Sequence, residues 1–170
     1  MNKKEITELF NNLPDRLIAT IHKDPDFDAV GSILALNEVI NILGKEITLL
    51  SPDINIKQFK HLPGIENLKT KTNSQTFDTA FFLDCSDKSR IAKPEQFPMV
   101  SNVINIDHHQ DNTEFGDINI VENISSVGEL IFNIIEILDI EITESIATNL
   151  FAAISFDTGS FKFSNTTSET

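Results

Sequence analysis

The segment His22-Lys23-Asp24-Pro25-Asp26-Phe27-Asp28 places one imidazole and three carboxylates within seven residues. Two further clusters follow, Asp84 within Leu83-Asp84-Cys85-Ser86-Asp87 and the adjacent Asp107-His108-His109. Oxygen donors with a few imidazoles suit hard or borderline divalent ions such as Mn²⁺ or Mg²⁺. A structural zinc site would want several thiolates, and Cys85 is the only cysteine. Two ions ~3.5–4 Å apart generate a hydroxide nucleophile at neutral pH and clamp the oxygens of a phosphoryl group, so the chemistry this equipment suits is phosphoester hydrolysis. A competing reading is open for the first segment, in which Asp28 caps a helix while Asp24 and Asp26 serve a turn. Asp26 and Asp28, two apart, would point the same way in an extended stretch, with Pro25 holding Asp24 extended.

For three separated clusters to meet, the elements around them must end on one rim. Ile6, Leu9, Phe10 and Leu13 recur at helical spacing, and Arg16–Ile21 reads as a buried strand with His22 just beyond it. After the loop 22–28, the apolar positions from Val30 to Leu43 form a helix that stops near Gly44. Glu46–Ser51, Thr79–Leu83 and Asn102–Ile106 read as further strands, the last two followed directly by Asp84 and Asp107. Val127, Leu130, Ile131, Ile134, Ile135 and Leu138 define a helix with Ser126 and Glu129 as its capping box. Another helix runs from Glu144 to about Ile154 and ends before Asp157-Thr158-Gly159. Alternating strands and helices imply an α/β fold, a mostly parallel sheet flanked by helices, with ligands at the C-terminal ends of its strands.

The bulk composition limits what such a site can serve. A chain of 170 residues, 40% hydrophobic, is expected to form one domain spanning 1–170. Thirteen Lys+Arg against twenty-six Asp+Glu give a formal charge of −13. That charge repels long polyanions, so a surface tracking long nucleic acid is not expected. The absence of an apolar run of ~20 residues argues against a membrane span, and the single cysteine suits a cytoplasmic setting.

With these residues in place, the sequence resembles the DHH phosphoesterases, named for an Asp-His-His motif that here is Asp107-His108-His109. The first motif resembles His22-x-x-Pro25-Asp26-x-Asp28-Ala29-x-Gly31-Ser32, the second contains Asp84, and the fourth is Asp157-Thr158-Gly159. The stretch 157–167, with Ser125-Ser126-Val127, looks most like the nanoRNase/pAp phosphatases, which trim short RNA oligonucleotides to nucleoside 5′-monophosphates and dephosphorylate 3′-phosphoadenosine 5′-phosphate with manganese. The resemblance implies that His22 and Asp26 hold one metal, that Asp28, His108 and Asp157 hold the other, and that Asp84 bridges them. Mn²⁺ is the expected ion, with Mg²⁺ as the alternative.

His109 is expected to contact the scissile phosphate and act with Asp84 in catalysis, its competing role being support of the ligands. Asp107 would orient a neighbouring imidazole or a backbone donor. Arg90, Gly31 and Ser126 join His109 as expected substrate contacts, although an exposed Arg90 need serve no ligand. Cys85 is expected to pack. The expected partner is a short single-stranded RNA or a small phosphorylated nucleotide, and a homodimer is open.

Family members carry a second, C-terminal domain of the DHHA1 type with a Gly-Gly-Gly-His motif, which nothing here matches. The close at Asn165–Thr170 reads as a helix N-cap without its helix. The chain is therefore expected to be the metal-binding domain alone, binding metal but turning substrate over poorly. Alternative activities are a cyclic-dinucleotide phosphodiesterase, a RecJ-type exonuclease and, less favoured, a family II pyrophosphatase. An alternative of another class is a metal- or nucleotide-binding module with little turnover.

Overall fold

Each apolar run becomes a strand of one sheet in the computed structural model, which describes residues 1–170. The elements in chain order are α1 (Lys3–Asn11), β1 (Leu17–Ile21), α2 (Phe27–Ile42), β2 (Ile47–Leu50), β3 (Leu68–Lys69), β4 (Thr76–Leu83), β5 (Met99–Asp107), β6 (Ile118–Val121), α3 (Val127–Leu138) and α4 (Glu144–Asp157). Short 3₁₀ turns join β2 to β3 and β4 to β5. The strand order is β3-β2-β1-β4-β5-β6, and every pairing is parallel. The α/β expectation therefore holds. β3 and β6 were not among the expected strands; β3, with two residues, is too short to show a period.

The sheet is dressed unequally. One face, with Ala19, Ile21, Phe81, Leu83, Ile104 and Ile106, joins buried residues of α1, α2 and α3 in a core of 32 residues. The other face presents Ile18, Ala80, Phe82 and Val103 to a cluster of eight, closed by Ile91, Phe97 and Phe115 from connecting segments. Both faces are covered, which is why β4 reads as an unbroken apolar run. α4 lies against α2 and α3. No helix is long and apolar enough to cross a membrane.

Two boundaries differ from expectation, and both move site residues. α2 begins at Phe27, so Asp28 lies in its first turn. α4 continues to Asp157, placing that carboxylate on the last helical residue. Asp24 is left-handed (φ 53°) rather than extended. The following proline disfavours only the right-handed region, and Asp tolerates the left-handed one.

Candidate metal centre

Strand register brings the three clusters to one level. Ile21 pairs with Leu83 and Leu83 with Ile106, so the next residues of three adjacent strands are His22, Asp84 and Asp107. After β1 the chain builds outward to β2 and β3, then returns to place β4 on the other side of β1. Such a reversal opens a crevice at the strand ends, where open α/β sheets receive ligands.

Two imidazoles are held so that Nε2 faces carboxylates. The His22 Nδ1 is 2.7 Å from the Lys23 carbonyl, and its Nε2 is 3.4 Å from Asp84 Oδ2 and 3.9 Å from Asp26 Oδ2. The His108 Nδ1 is 3.2 Å from the Ile124 carbonyl, and its Nε2 is 3.2 Å from Asp157 Oδ2, 3.7 Å from Asp84 Oδ1 and 3.9 Å from Asp28 Oδ2. An imidazole that spends Nδ1 on a carbonyl has its tautomer fixed, with Nε2 left for a metal. Three groups have ligand atoms within 4.8 Å of one another: His22, Asp26 and Asp84; Asp28, His108 and Asp157; and Asp84, His108 and His109. The structure thus brings together all six residues expected to bind metal.

Asp26 and Asp28 do not point the same way, because the chain turns helical between them. The Asp26 Oδ1 caps α2 by accepting from Ala29 N at 3.0 Å, leaving Oδ2 toward His22. Asp28 reaches across to the start of α3, accepting from Val127 N at 2.8 Å and Gly128 N at 2.9 Å. The capping role weighed for Asp28 on its own helix belongs to Asp26, and Asp28 caps a different helix.

The electrostatics concentrate buried negative charge at the cluster. Burial lifts the Asp28 carboxyl well above the usual carboxylate range, Asp84 and Asp157 lift it further, and His108 and the Val127 amide oppose them. Burial disfavours charge on His22, but Asp26 and Asp84 outweigh it and push its pKa up to about 10. Burial likewise opposes charge on His108, whose pKa rises to about 9 through Asp157, Asp28 and Asp84. Carboxylates that raise one another in a buried space leave negative charge that a cation would neutralise. Asp84 adds backbone strain, sitting at φ 57° with its Oδ1 buried and without a hydrogen-bond partner.

His109 is arranged differently. Its Nδ1 lies 2.8 Å from Asp107 Oδ1, and that hydrogen bond raises its pKa against the effect of burial. Asp107 is the orienting acceptor expected of it, and its other oxygen accepts from Asn112. Asn112 also donates to Asn105 Oδ1 at 2.8 Å and to the Cys85 carbonyl at 3.3 Å, tying the loop after β4 to the loop after β5. Sequence reasoning missed Asn105 and Asn112. The signal was there in Asn105, a polar side chain inside an apolar strand that must find partners once buried.

Two residues expected at the substrate have packing and capping roles in the structure. At Gly31 a Cβ would lie 2.5 Å from the Asn149 carbonyl oxygen and 3.1 Å from Ala153 Cβ, so this glycine lets α2 meet α4. Ser126 is fully buried, and its Oγ accepts from Glu129 N at 3.1 Å as the cap of α3. The capping box is also incomplete, because the Glu129 carboxylate binds Ser125 N at 3.1 Å instead of Ser126 N. Arg90 is exposed, and its carbonyl accepts from Lys23 N at 2.7 Å, which puts it on the segment bridged to His22. Cys85 is buried, its thiol on the Leu83 carbonyl, as packing required.

The family model for the DHH family, N-terminal domain, matches residues 16–154, which contain the first three motifs. The chain belongs to the DHH family. Among curated DHH relatives, it is 32% identical over 166 residues to the bifunctional oligoribonuclease and PAP phosphatase NrnA of Thermus thermophilus, covering 96% of this chain and 50% of that protein. It is 28% identical over 175 residues to the NrnA of Bacillus subtilis, covering 96% and 53%. The chain thus spans about half the length of these relatives. Among solved structures, an exopolyphosphatase-related protein from Bacteroides fragilis superposes with a TM-score of 0.84 at 23% identity, covering 98% of this chain and 53% of that one. That likeness speaks to the fold.

Proposed function

We propose that this DHH domain carries the two-metal centre of a phosphoesterase acting on short RNA oligonucleotides, on 3′-phosphoadenosine 5′-phosphate, or on both. The observation that carries this reading is the division of Asp84, whose Oδ2 faces His22 at 3.4 Å while its Oδ1 faces His108 at 3.7 Å. In this reading His22 and Asp26 hold one ion, Asp28, His108 and Asp157 hold the other, and Asp84 belongs to both. The substrate class follows the activities for which the NrnA relatives are named, and a small nucleotide suits a chain of formal charge −13.

The residues present fit such a centre: two imidazoles with Nε2 unspent, an orphaned buried carboxylate oxygen, and mutually repelling carboxylates. Oxygen and imidazole donors favour Mn²⁺, with Mg²⁺ as the alternative. When bound, such a pair supplies a hydroxide nucleophile and neutralises charge on the phosphoryl oxygens. The protein's own groups do the rest. His109, its Nδ1 fixed by Asp107, offers Nε2 to the scissile phosphate and a proton to the leaving oxygen. Arg90, whose neighbour Ile91 bridges to His22, would be the cation that meets a phosphate oxygen in this reading. A cytoplasmic setting suits this chemistry.

The test is an anomalous-scattering count on Mn²⁺-soaked crystals, paired with an assay of Mn²⁺-dependent AMP release from a short oligoadenylate and from 3′-phosphoadenosine 5′-phosphate. Two ions flanking Asp84 and metal-dependent release are expected. One ion or none at Asp84 overturns the reading.

A further inference from the structure

Beside the His108–His109 end of the centre lies a cavity of about 450 Å³ that the metal chemistry does not use. Its volume falls within the range of small-molecule sites. Its wall is continuous with the metal centre. The Ile124 carbonyl holds His108 Nδ1, Asn165 Nδ2 donates to the Asp157 carbonyl at 3.1 Å, and Gln110 directly follows His109; all three residues line the cavity.

Glu129 gives the cavity its chemistry. This lining residue is only 7% exposed. Its Oε2 accepts from Ser125 N at 3.1 Å, from the Ser125 hydroxyl and from the Thr170 hydroxyl at 3.3 Å, while no group of the chain donates to Oε1. The carboxylate is thus held through Oε2, and Oε1 remains available to accept from a group in the cavity. Nearby, Gln110 Nε2 donates to Asn123 Oδ1 at 3.2 Å, leaving the Gln110 carbonyl and the Asn123 amide hydrogens free. Glu129 and Glu169 repel a phosphate, so the phosphate belongs on the metals. What the cavity can take is an uncharged group with hydroxyl and amino donors.

We propose that this cavity is a nucleoside subsite. It receives the sugar and base of a nucleotide whose phosphate lies on the metal centre, with Glu129 Oε1 accepting from a hydroxyl or amino group and Gln110 and Asn123 completing the contacts. The inference rests on the phosphoesterase reading above.

The test is calorimetric titration of AMP and of inorganic phosphate into the Mn²⁺-loaded chain, as wild type and as two variants. Glu129→Gln keeps an acceptor for Ser125 while turning a donor toward the cavity, and Asn123→Ala removes an exposed amide without touching the core. AMP is expected to bind more tightly than phosphate. Each variant is expected to weaken AMP about fivefold or more while leaving Mn²⁺ and phosphate binding unchanged. Should Glu129→Gln fail to fold, Asn123→Ala decides alone. AMP binding no tighter than phosphate, or AMP affinity indifferent to the substitutions, overturns the subsite and leaves the metal centre standing. Failure of Mn²⁺ to bind wild type would instead overturn the phosphoesterase reading.

Discussion

The two halves of the candidate centre are built by opposite routes. The near half, His22 and Asp26, comes from a single passage out of β1 into α2, four residues apart, and the Asp26 side chain keeps 34% of its exposure. The far half gathers Asp28 from α2, His108 from the end of β5 and Asp157 from the last residue of α4, and the Asp28 side chain has no exposure. A local turn can assemble the first. The second exists only when three elements pack. The far half also concentrates charge, with Asp28, Asp84 and Asp157 around one imidazole, so it has the greater need of a cation and is expected to hold its ion more tightly.

Substitution of the residue common to both halves has the largest expected effect. Asp84→Ala should lower Mn²⁺-dependent hydrolysis by about 10³-fold or more, read as AMP release, because in the proposed centre both ions would lose a ligand. Asp157→Ala separates the halves. A two-step Mn²⁺ titration should collapse to one step of the affinity seen for the weaker site, and loss of both steps would show that the halves are one unit. His109→Ala leaves both halves intact, so both binding steps should persist while kcat falls about 10²-fold or more.

Acidity tests both halves together. Metal must displace the proton from each imidazole, so affinity should climb as pH rises from 6 to 8, and proton release can be measured by calorimetry in buffers of different ionisation enthalpy. His22 and His108, both raised well above the ordinary imidazole value by their carboxylates, should keep both halves pH-dependent above neutrality. In metal-free protein the sign reverses. A histidine raised on folding stabilises fully below its unfolded pKa of about 6.5 and loses that contribution as pH climbs through 9 to 10, so melting in EDTA should fall over that range.

The smallest expected effect is on the packing behind the far half. Gly31→Ala should cost about 1–3 kcal/mol in denaturant melts by pushing α2 from α4. Because α4 carries Asp157, the far ion should weaken more than the near one.

How much could be read in advance follows the same division. β1, β4 and β5 were legible because residues buried on both sides leave unbroken apolar runs, and the acids directly after those runs had to emerge at the strand ends. α3 was legible from its spacing, down to the cap at Ser126. The partners of Asp28 were not, because its hydrogen bonds go to Val127 and Gly128 about a hundred residues away. The approach of α4 to Gly31 was not legible either, because a glycine at a helix start looks the same whether a phosphate or another helix approaches it.

The sequence by itself determined which residue types meet at the rim, since local periodicity places strand ends and the polar residues beyond them. Family membership rested on the same local motifs. Only the tertiary structure decided how those residues are oriented: which oxygen of Asp84 faces which imidazole, which helix Asp28 caps, and that Asn112 ties Asp107 to the Cys85 carbonyl. These choices depend on strand register and helix packing over long separations. Local spacing carries no record of them.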